Sequence, residues 1–227
     1  ADDTIHLTHI CRMVGGMPLA IELAAGWVDV LPLAKIASEI QSNLDFLETD
    51  LQDVPERNRS IRRVFEASWQ RLSTEEQAVF SELSVFRGGF TRQAVRSVTG
   101  ATLPLLRRLV SKSLLQYEGQ RERYQIHELL RQFGTEQLMV QEIKSAVIQE
   151  RHSDYYCHLL YINQSRLHSG DYEEAVHALE LDAQNIQGAW RWAVTNERVD
   201  LVAKAAHSLG YLYEWRGQYQ AGEQLFR

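Results

Sequence analysis

Chemistry on phosphates would need a Gly-x-x-x-x-Gly-Lys-Ser/Thr loop, whose backbone N–H groups and lysine neutralise the anion while the hydroxyl holds magnesium. The sequence contains no such loop; its glycine pairs, Gly15-Gly16 and Gly88-Gly89, lack the lysine and read as helix punctuation. A Gly-x-Ser-x-Gly elbow and a His-Glu-x-x-His pair are absent too. Adjacent carboxylates occur at Glu75-Glu76 and Glu173-Glu174, where helix starts predict solvated faces rather than acid–base catalysis. His6 and His9 can share a helix face, but two histidines alone make a poor metal site. Cys11 and Cys157 stand far apart in no metal-like spacing and are expected as core thiols. What remains is cationic. Arg107, Arg108 and Lys112 fall on or just after one predicted helix, where they suit DNA phosphates, an acidic domain surface or plain solvent. The chain by itself is therefore expected not to be an enzyme.

The elements that must position these residues read as three segments. Over residues 1–56 the chain carries 2 basic and 10 acidic groups, a balance of −8; residues 57–131 carry 14 and 7, or +7; residues 132–227 carry 8 and 13, or −5. A net charge of −6 thus hides modules with different neighbours. The first module, residues 1–55, reads as helices: one over residues 4–14, a break at Gly15-Gly16, and a second opening at Pro18, where a missing N–H costs nothing. Leu19, Leu23 and Trp27, with Ala20, Ala24 and Val28 beside them, predict a largely buried second helix. A third starts at Pro32 with Leu33, Ile36 and Ile40 on one face, and the boundary falls near Pro55.

The second module, residues 56–140, opens on the stripe Ile61, Phe65, Trp69 and Leu72. Ser73-Thr74-Glu75-Glu76 is a capping box for a helix carrying Val79, Phe80 and Leu83 and stopping at Gly88-Gly89. Thr91 caps a short helix, and Leu105, Leu106, Leu109 and Val110 mark another. The period then changes to two around the turn at residues 118–121, giving a hairpin, and three helices followed by a hairpin make a winged helix. His127 begins the next helix. The third module, residues 141–227, is helical, and Gly170-Asp171-Tyr172-Glu173-Glu174-Ala175 is echoed by Gly217-Gln218-Tyr219-Gln220-Ala221-Gly222. A turn glycine, a packing aromatic and a small residue at a crossing suit stacked helical pairs, although the offset of 47 residues exceeds the tetratricopeptide period of about 34. The expected fold is mainly α: a helical module plus a winged helix followed by tetratricopeptide-like α-α repeats.

Taken in order, Gly15-Gly16-Met17-Pro18-Leu19-Ala20, Phe65-Glu66-Ala67-Ser68-Trp69, Leu83-Ser84-Val85-Phe86-Arg87-Gly88-Gly89-Phe90, Leu109-Val110-Ser111-Lys112-Ser113-Leu114-Leu115 and Ile126-His127-Glu128-Leu129-Leu130-Arg131 resemble the C-terminal part of the NB-ARC or STAND class of signalling ATPases, specifically bacterial regulators with a helical-repeat sensor. The resemblance spans essentially the whole chain, including residues 185–194 with Trp190 and Trp192. It implies that the Gly-x-Pro element, here Gly16 and Pro18, lies against the adenine and sugar, and that a Met-His-Asp-like element, here Ile126-His127-Glu128, points its histidine at the ADP phosphates. The two replacements leave the histidine's role better supported than the acid's.

The implied protein is a signal-transduction ATPase and transcriptional regulator. ADP or ATP with magnesium would be held by the full-length chain, with none tightly bound to this segment. Its partners would be an upstream nucleotide-binding domain, a protein or small-molecule inducer at the repeats, and further copies on activation. The start at Ala1 and the end at Arg227 inside a helical pattern read as cut points of a longer protein. A cytoplasmic setting is expected, because no apolar run approaches a membrane span and no signal region opens the chain. The alternative is a winged-helix DNA-binding module, with Arg107, Arg108 and Lys112 on the phosphates, joined to a protein-interaction domain.

Overall fold

Helix α1 (Asp2–Met13) ends as its glycines dictate. The Gly15 N–H donates to the Arg12 carbonyl and the Gly16 N–H to that of Cys11, the paired bonds of a Schellman cap, with Gly15 at φ +56°. Pro18 then opens α2 (Pro18–Ala25), and Pro32 caps α3 (Leu33–Ser42). These features belong to a computed structural model describing residues 2–49, 59–169, 172–215, 217 and 219–226. Ile36 and Ile40 are fully buried, each worth about 1.5–3 kcal/mol relative to exposure. Helix α2 is less enclosed than its apolar residues predict: Leu23 and Ala24 are buried, Leu19 is half-buried, and Val28 lies beyond the helix end at 51% exposed. Trp27 stacks on Phe46 of a short 3-10 turn (Leu44–Phe46) and donates its indole N–H to the Phe46 carbonyl at 3.2 Å. The expected boundary at Pro55 lies outside the described residues.

The winged helix forms from α4 (Ile61–Trp69), α5 (Thr74–Leu83), α6 (Arg92–Val98) and α7 (Leu103–Ser111), with strands β1 (Phe90–Thr91), β2 (Gln116–Glu118) and β3 (Arg123–Gln125). The sheet order is β1-β3-β2, all antiparallel. The sequence reading has only the hairpin; β1 is two residues long and shows no period of its own. Helix α5 stops at Leu83, five residues before the glycine pair, so Gly88 and Gly89 (φ +72° and +101°) turn the chain into β1 rather than end a helix. The capping box is present, with the Ser73 hydroxyl accepting from the Glu76 N–H and the Glu76 carboxylate from the Ser73 N–H. Glu76 is 3% exposed, covered by that cap and by the side chains of α7, which corrects the expected solvated pair.

Helix α8 (Glu128–Met139) turns at residues 140–141 into α9 (Glu142–Ile162), the long spine against which α6, α12 (Ala183–Thr195) and α13 (Val199–Trp215) pack. Short α10 (Gln164–Leu167), α11 (Tyr172–Glu180) and α14 (Tyr219–Phe226) complete a mainly α fold. Both copies of the repeated pattern open helices, at Tyr172 and Tyr219, although residues 170, 171 and 218 lie outside the described set. Their small residues sit at crossings: Ala175 is fully buried, and a methyl group on Gly222 would stand 3.0 Å from Cβ of Tyr213. Cys157 is buried as expected and Cys11 is exposed, because it lies on the outer face of α1. Among the described residues no helix is long and apolar enough to cross a membrane.

Candidate functional site

The fold brings the Gly15-Gly16 turn and His127 to one seam. His127 is the N-cap of α8, and its Nδ1 accepts the Leu129 N–H at 3.2 Å. An accepting Nδ1 places the proton of the neutral ring on Nε2. That nitrogen is buried against the α1 cap, so close that a methyl group on Gly15 would stand 2.0 Å from it. It lies near enough to the Val14 carbonyl to feel it, yet forms no hydrogen bond of acceptable geometry. Burial holds the ring below its ordinary pKa, against the pull of Val14 and Glu128, so His127 is neutral with an N–H donor that finds no well-aligned acceptor among the described residues. Gly16 (φ +69°) and Pro18 are exposed beside this turn, and α2 carries no side-chain cap at its N-terminus.

The same seam contains Gln132, whose amide nitrogen donates to the Gln41 carbonyl at 3.1 Å and, more weakly, to that of Ile40 at 3.4 Å. Its Oε1 is buried without a partner. Among the described residues, His127 Nε2 and Gln132 Oε1 are the two buried side-chain polar atoms left unpaired, and both side chains touch the first module. Arg62 fastens the seam lower down, pairing with Asp45 and, in bidentate fashion, with Glu136.

The basic helix α7 is largely neutralised from within. Arg108 pairs with Glu75 at 3.0 Å and with Glu76 at 3.4 Å, and Lys112 reaches Glu76 at 2.7 Å. Lys112, Ser73 and their hydrogen bonds keep the Glu76 carboxyl below the usual range. Arg107, alone of the three, is exposed without an ion pair to any described residue. His6 and His9 gain no further ligands, and among the described residues no group of three metal-binding side chains forms.

Sequence reasoning missed a buried polar joint between the winged helix and α12. Arg123 on β3 forks onto Asp182, with Nη2 donating to Oδ1 at 2.6 Å and Nη1 to Oδ2 at 3.3 Å, and Nη2 also reaches the Gly89 and Leu181 carbonyls at 3.0 Å. Asn185 donates to the Gly89 carbonyl at 2.7 Å and accepts the Arg87 N–H at 2.7 Å. The Tyr156 hydroxyl donates to Asp182 at 3.3 Å, and His152 meets Asn185 at 3.4 Å. The signal was present: Asp182 and Asn185 occupy the stripe continued by Ile186, Ala189, Trp190 and Ala193, where polar side chains must be paired.

No family model matches the chain. Over 226 residues it is 29% identical to a protein of Mycobacterium tuberculosis provisionally named an HTH-type transcriptional regulator, and equally to one of Mycobacterium bovis under the same name, covering 96% of this chain and 25% of each relative. An uncharacterized Mycobacterium tuberculosis protein is 29% identical over 175 residues, 72% of this chain and 43% of its own. The chain thus spans about a quarter of the length of the first of these curated relatives. A solved STAND (signal transduction ATPase with numerous domains) protein with a tetratricopeptide repeat sensor, from Pyrococcus horikoshii, aligns over 91% of this chain and 39% of its own at 17% identity, with a TM-score of 0.32. That structure is of the class which the sequence motifs resemble, but at this TM-score it carries no argument about arrangement.

Proposed function

We propose that this chain is the regulatory lid of a nucleotide-controlled switch. In a longer STAND-like protein it closes over an adenine nucleotide held by a separate nucleotide-binding domain, and it catalyses nothing alone. The observation that carries this reading is the pair of unpaired buried atoms at the seam, above all the Nε2–H of His127. A buried donor left unpaired costs about 1–3 kcal/mol, and an anion drawn to this edge would remove that cost. The residues present fit such a group: a neutral imidazole donor, the exposed Gly16 and Pro18, and the uncapped first turn of α2. An ADP or ATP–magnesium complex, when bound by the whole protein, supplies the charge that this donor lacks.

The helical region then serves as the sensor for a protein or small-molecule inducer, release of the lid permits exchange and self-association, and the output is transcriptional, as the relatives' names suggest. DNA contact through α7 is the weaker reading, because Arg108 and Lys112 already have internal carboxylate partners. Two measurements decide. The coding sequence on the N-terminal side must contain a phosphate-binding loop; without one the lid has nothing to close on. In the full-length protein, His127→Ala should speed ADP release and raise basal activity, and an unchanged release rate removes His127 from the switch. Salt-dependent duplex binding that is lost on replacing Arg107 and Arg108 would instead favour the DNA reading.

A further inference from the structure

Away from that seam, a cleft of about 240 Å³ opens between the winged helix and the helical region, lined by residues of the α5–β1 loop, α8, α9 and α12. Three guanidinium groups line it: Arg87 from the loop, Arg131 from α8 and Arg191 from α12. Arg131 is held by Glu128, with Nη2 and Nε donating at 2.7 and 2.9 Å. Arg87 and Arg191 form no side-chain hydrogen bond or ion pair with any described residue. The other acid of this region, Glu82, is taken by Lys144 at 2.7 Å. The lining therefore carries three guanidinium charges, with the Glu128 carboxylate beside them as partner of one. Burial, then Arg131 and Arg191, draw the Arg87 guanidinium below its ordinary value, with Glu128 opposing, so the like charges are close enough to repel. The remaining wall is mixed, with the polar side chains of Ser84, Thr135, Ser145 and Gln149 beside the apolar Trp192, Leu138 and Val85.

Three convergent cations beside a single carboxylate are under-compensated, and an anion sharing the space relieves their repulsion. The guanidinium fork suits a phosphate, which it can meet with two parallel bonds, better than a point charge would. An indole and aliphatic side chains beside it suit a flat apolar body. The floor adds no negative charge: His152 is buried and kept neutral, with its pKa lowered to about 4 by burial.

We propose that this cleft binds a small organic phosphate, its phosphoryl group between Arg87 and Arg191 and its flat body along Trp192, so that the ligand ties the winged helix to α12. This site is separate from the lid at His127, and its failure would leave that reading untouched.

The test is calorimetric titration of the whole chain with phenyl phosphate, alongside inorganic phosphate and phenol, at low salt. Phenyl phosphate should bind saturably and more tightly than either part. Arg87→Gln and Arg191→Gln should each weaken it about tenfold or more. Trp192→Ala should weaken phenyl phosphate and leave inorganic phosphate unchanged. Arg107→Ala, an equal loss of surface charge, and His127→Ala should change nothing. The proposal is overturned by an absence of saturation at about 10 mM, by equal weakening from Arg107→Ala, or by inorganic phosphate matching phenyl phosphate. Circular dichroism melts of each variant separate lost binding from lost folding.

Discussion

Replacing Gly15 by alanine tests the seam directly, because two costs fall on one atom. An L-residue at φ +56° pays about 1–2 kcal/mol for the left-handed backbone. The added Cβ would stand 2.0 Å from Nε2 and 2.4 Å from Cδ2 of His127, distances at which the ring must move. It cannot move freely, since its Nδ1 caps α8 through the Leu129 N–H. Forcing a group into a packed site of this kind costs about 1–3 kcal/mol, so Gly15→Ala should lose about 2–5 kcal/mol in all. Gly16→Ala is the internal control: its φ is +69°, but no atom lies within 4 Å of the new Cβ, so only the backbone cost of about 1–2 kcal/mol applies. In a His127→Ala background the clash disappears, and Gly15→Ala should then cost no more than Gly16→Ala. Urea unfolding followed by circular dichroism gives all four corners of the cycle, with an expected coupling of about 1–3 kcal/mol. Equal costs for the two glycines, or a coupling of zero, would refute the packing of His127 on the α1 cap.

The polar joint should be costlier to damage than the seam. Arg123→Ala leaves Asp182 buried without its charge partner and should lose about 3–5 kcal/mol in urea unfolding, whereas Arg123→Met combined with Asp182→Leu should lose much less; equal losses would mean that the pair is not buried as a unit. Acid should weaken the chain through His152. Its folded pKa is lowered from 6.5 to about 4 by burial, so as pH falls the unfolded chain binds the proton first. Stability is therefore full above about pH 6.5 and drains toward pH 4, by about 3 kcal/mol for the whole drop. His127 acts in the same direction. The loss should persist in His127→Ala and shrink in His152→Gln, as read from unfolding free energies across that pH range.

Local signals made most of the fold legible. The Ser73 and Thr91 caps, the helix opening at Pro18 and the α1 cap at Gly15-Gly16 are decided within a turn of chain, and each forms as its residues require. The burial of Glu76 was not legible, because its partners Arg108 and Lys112, on and just after α7, are distant in sequence, whereas the exposure of Val28 follows from α2 ending at Ala25. The site divides in the same way. Gly16, Pro18 and His127 could be singled out by resemblance, but that Gly15 rather than Gly16 touches the imidazole follows only from how α8 meets α1. Asp182 and Asn185 were legible in principle, as polar residues in an apolar stripe, yet their partner Arg123 lies on a strand of three residues.

The two interfaces of the winged helix are built to different standards, which decides where the molecule opens. Toward α12 every polar group of the joint is met, several of them twice, and the fork of Arg123 on Asp182 is buried at both ends. Toward the first module two buried atoms are unmet and the amide of Gln132 reaches its acceptors at 3.1 and 3.4 Å. Opening the seam lets water satisfy both atoms and so recovers about 2–6 kcal/mol of desolvation, while opening the joint recovers none. The winged helix should therefore travel with the helical region and part from the α1–α3 module. Native-state hydrogen exchange reads this as faster exchange of the capped Leu129 amide than of the Arg87 amide held by Asn185. The reverse order would place the hinge at the joint and make the seam the rigid side.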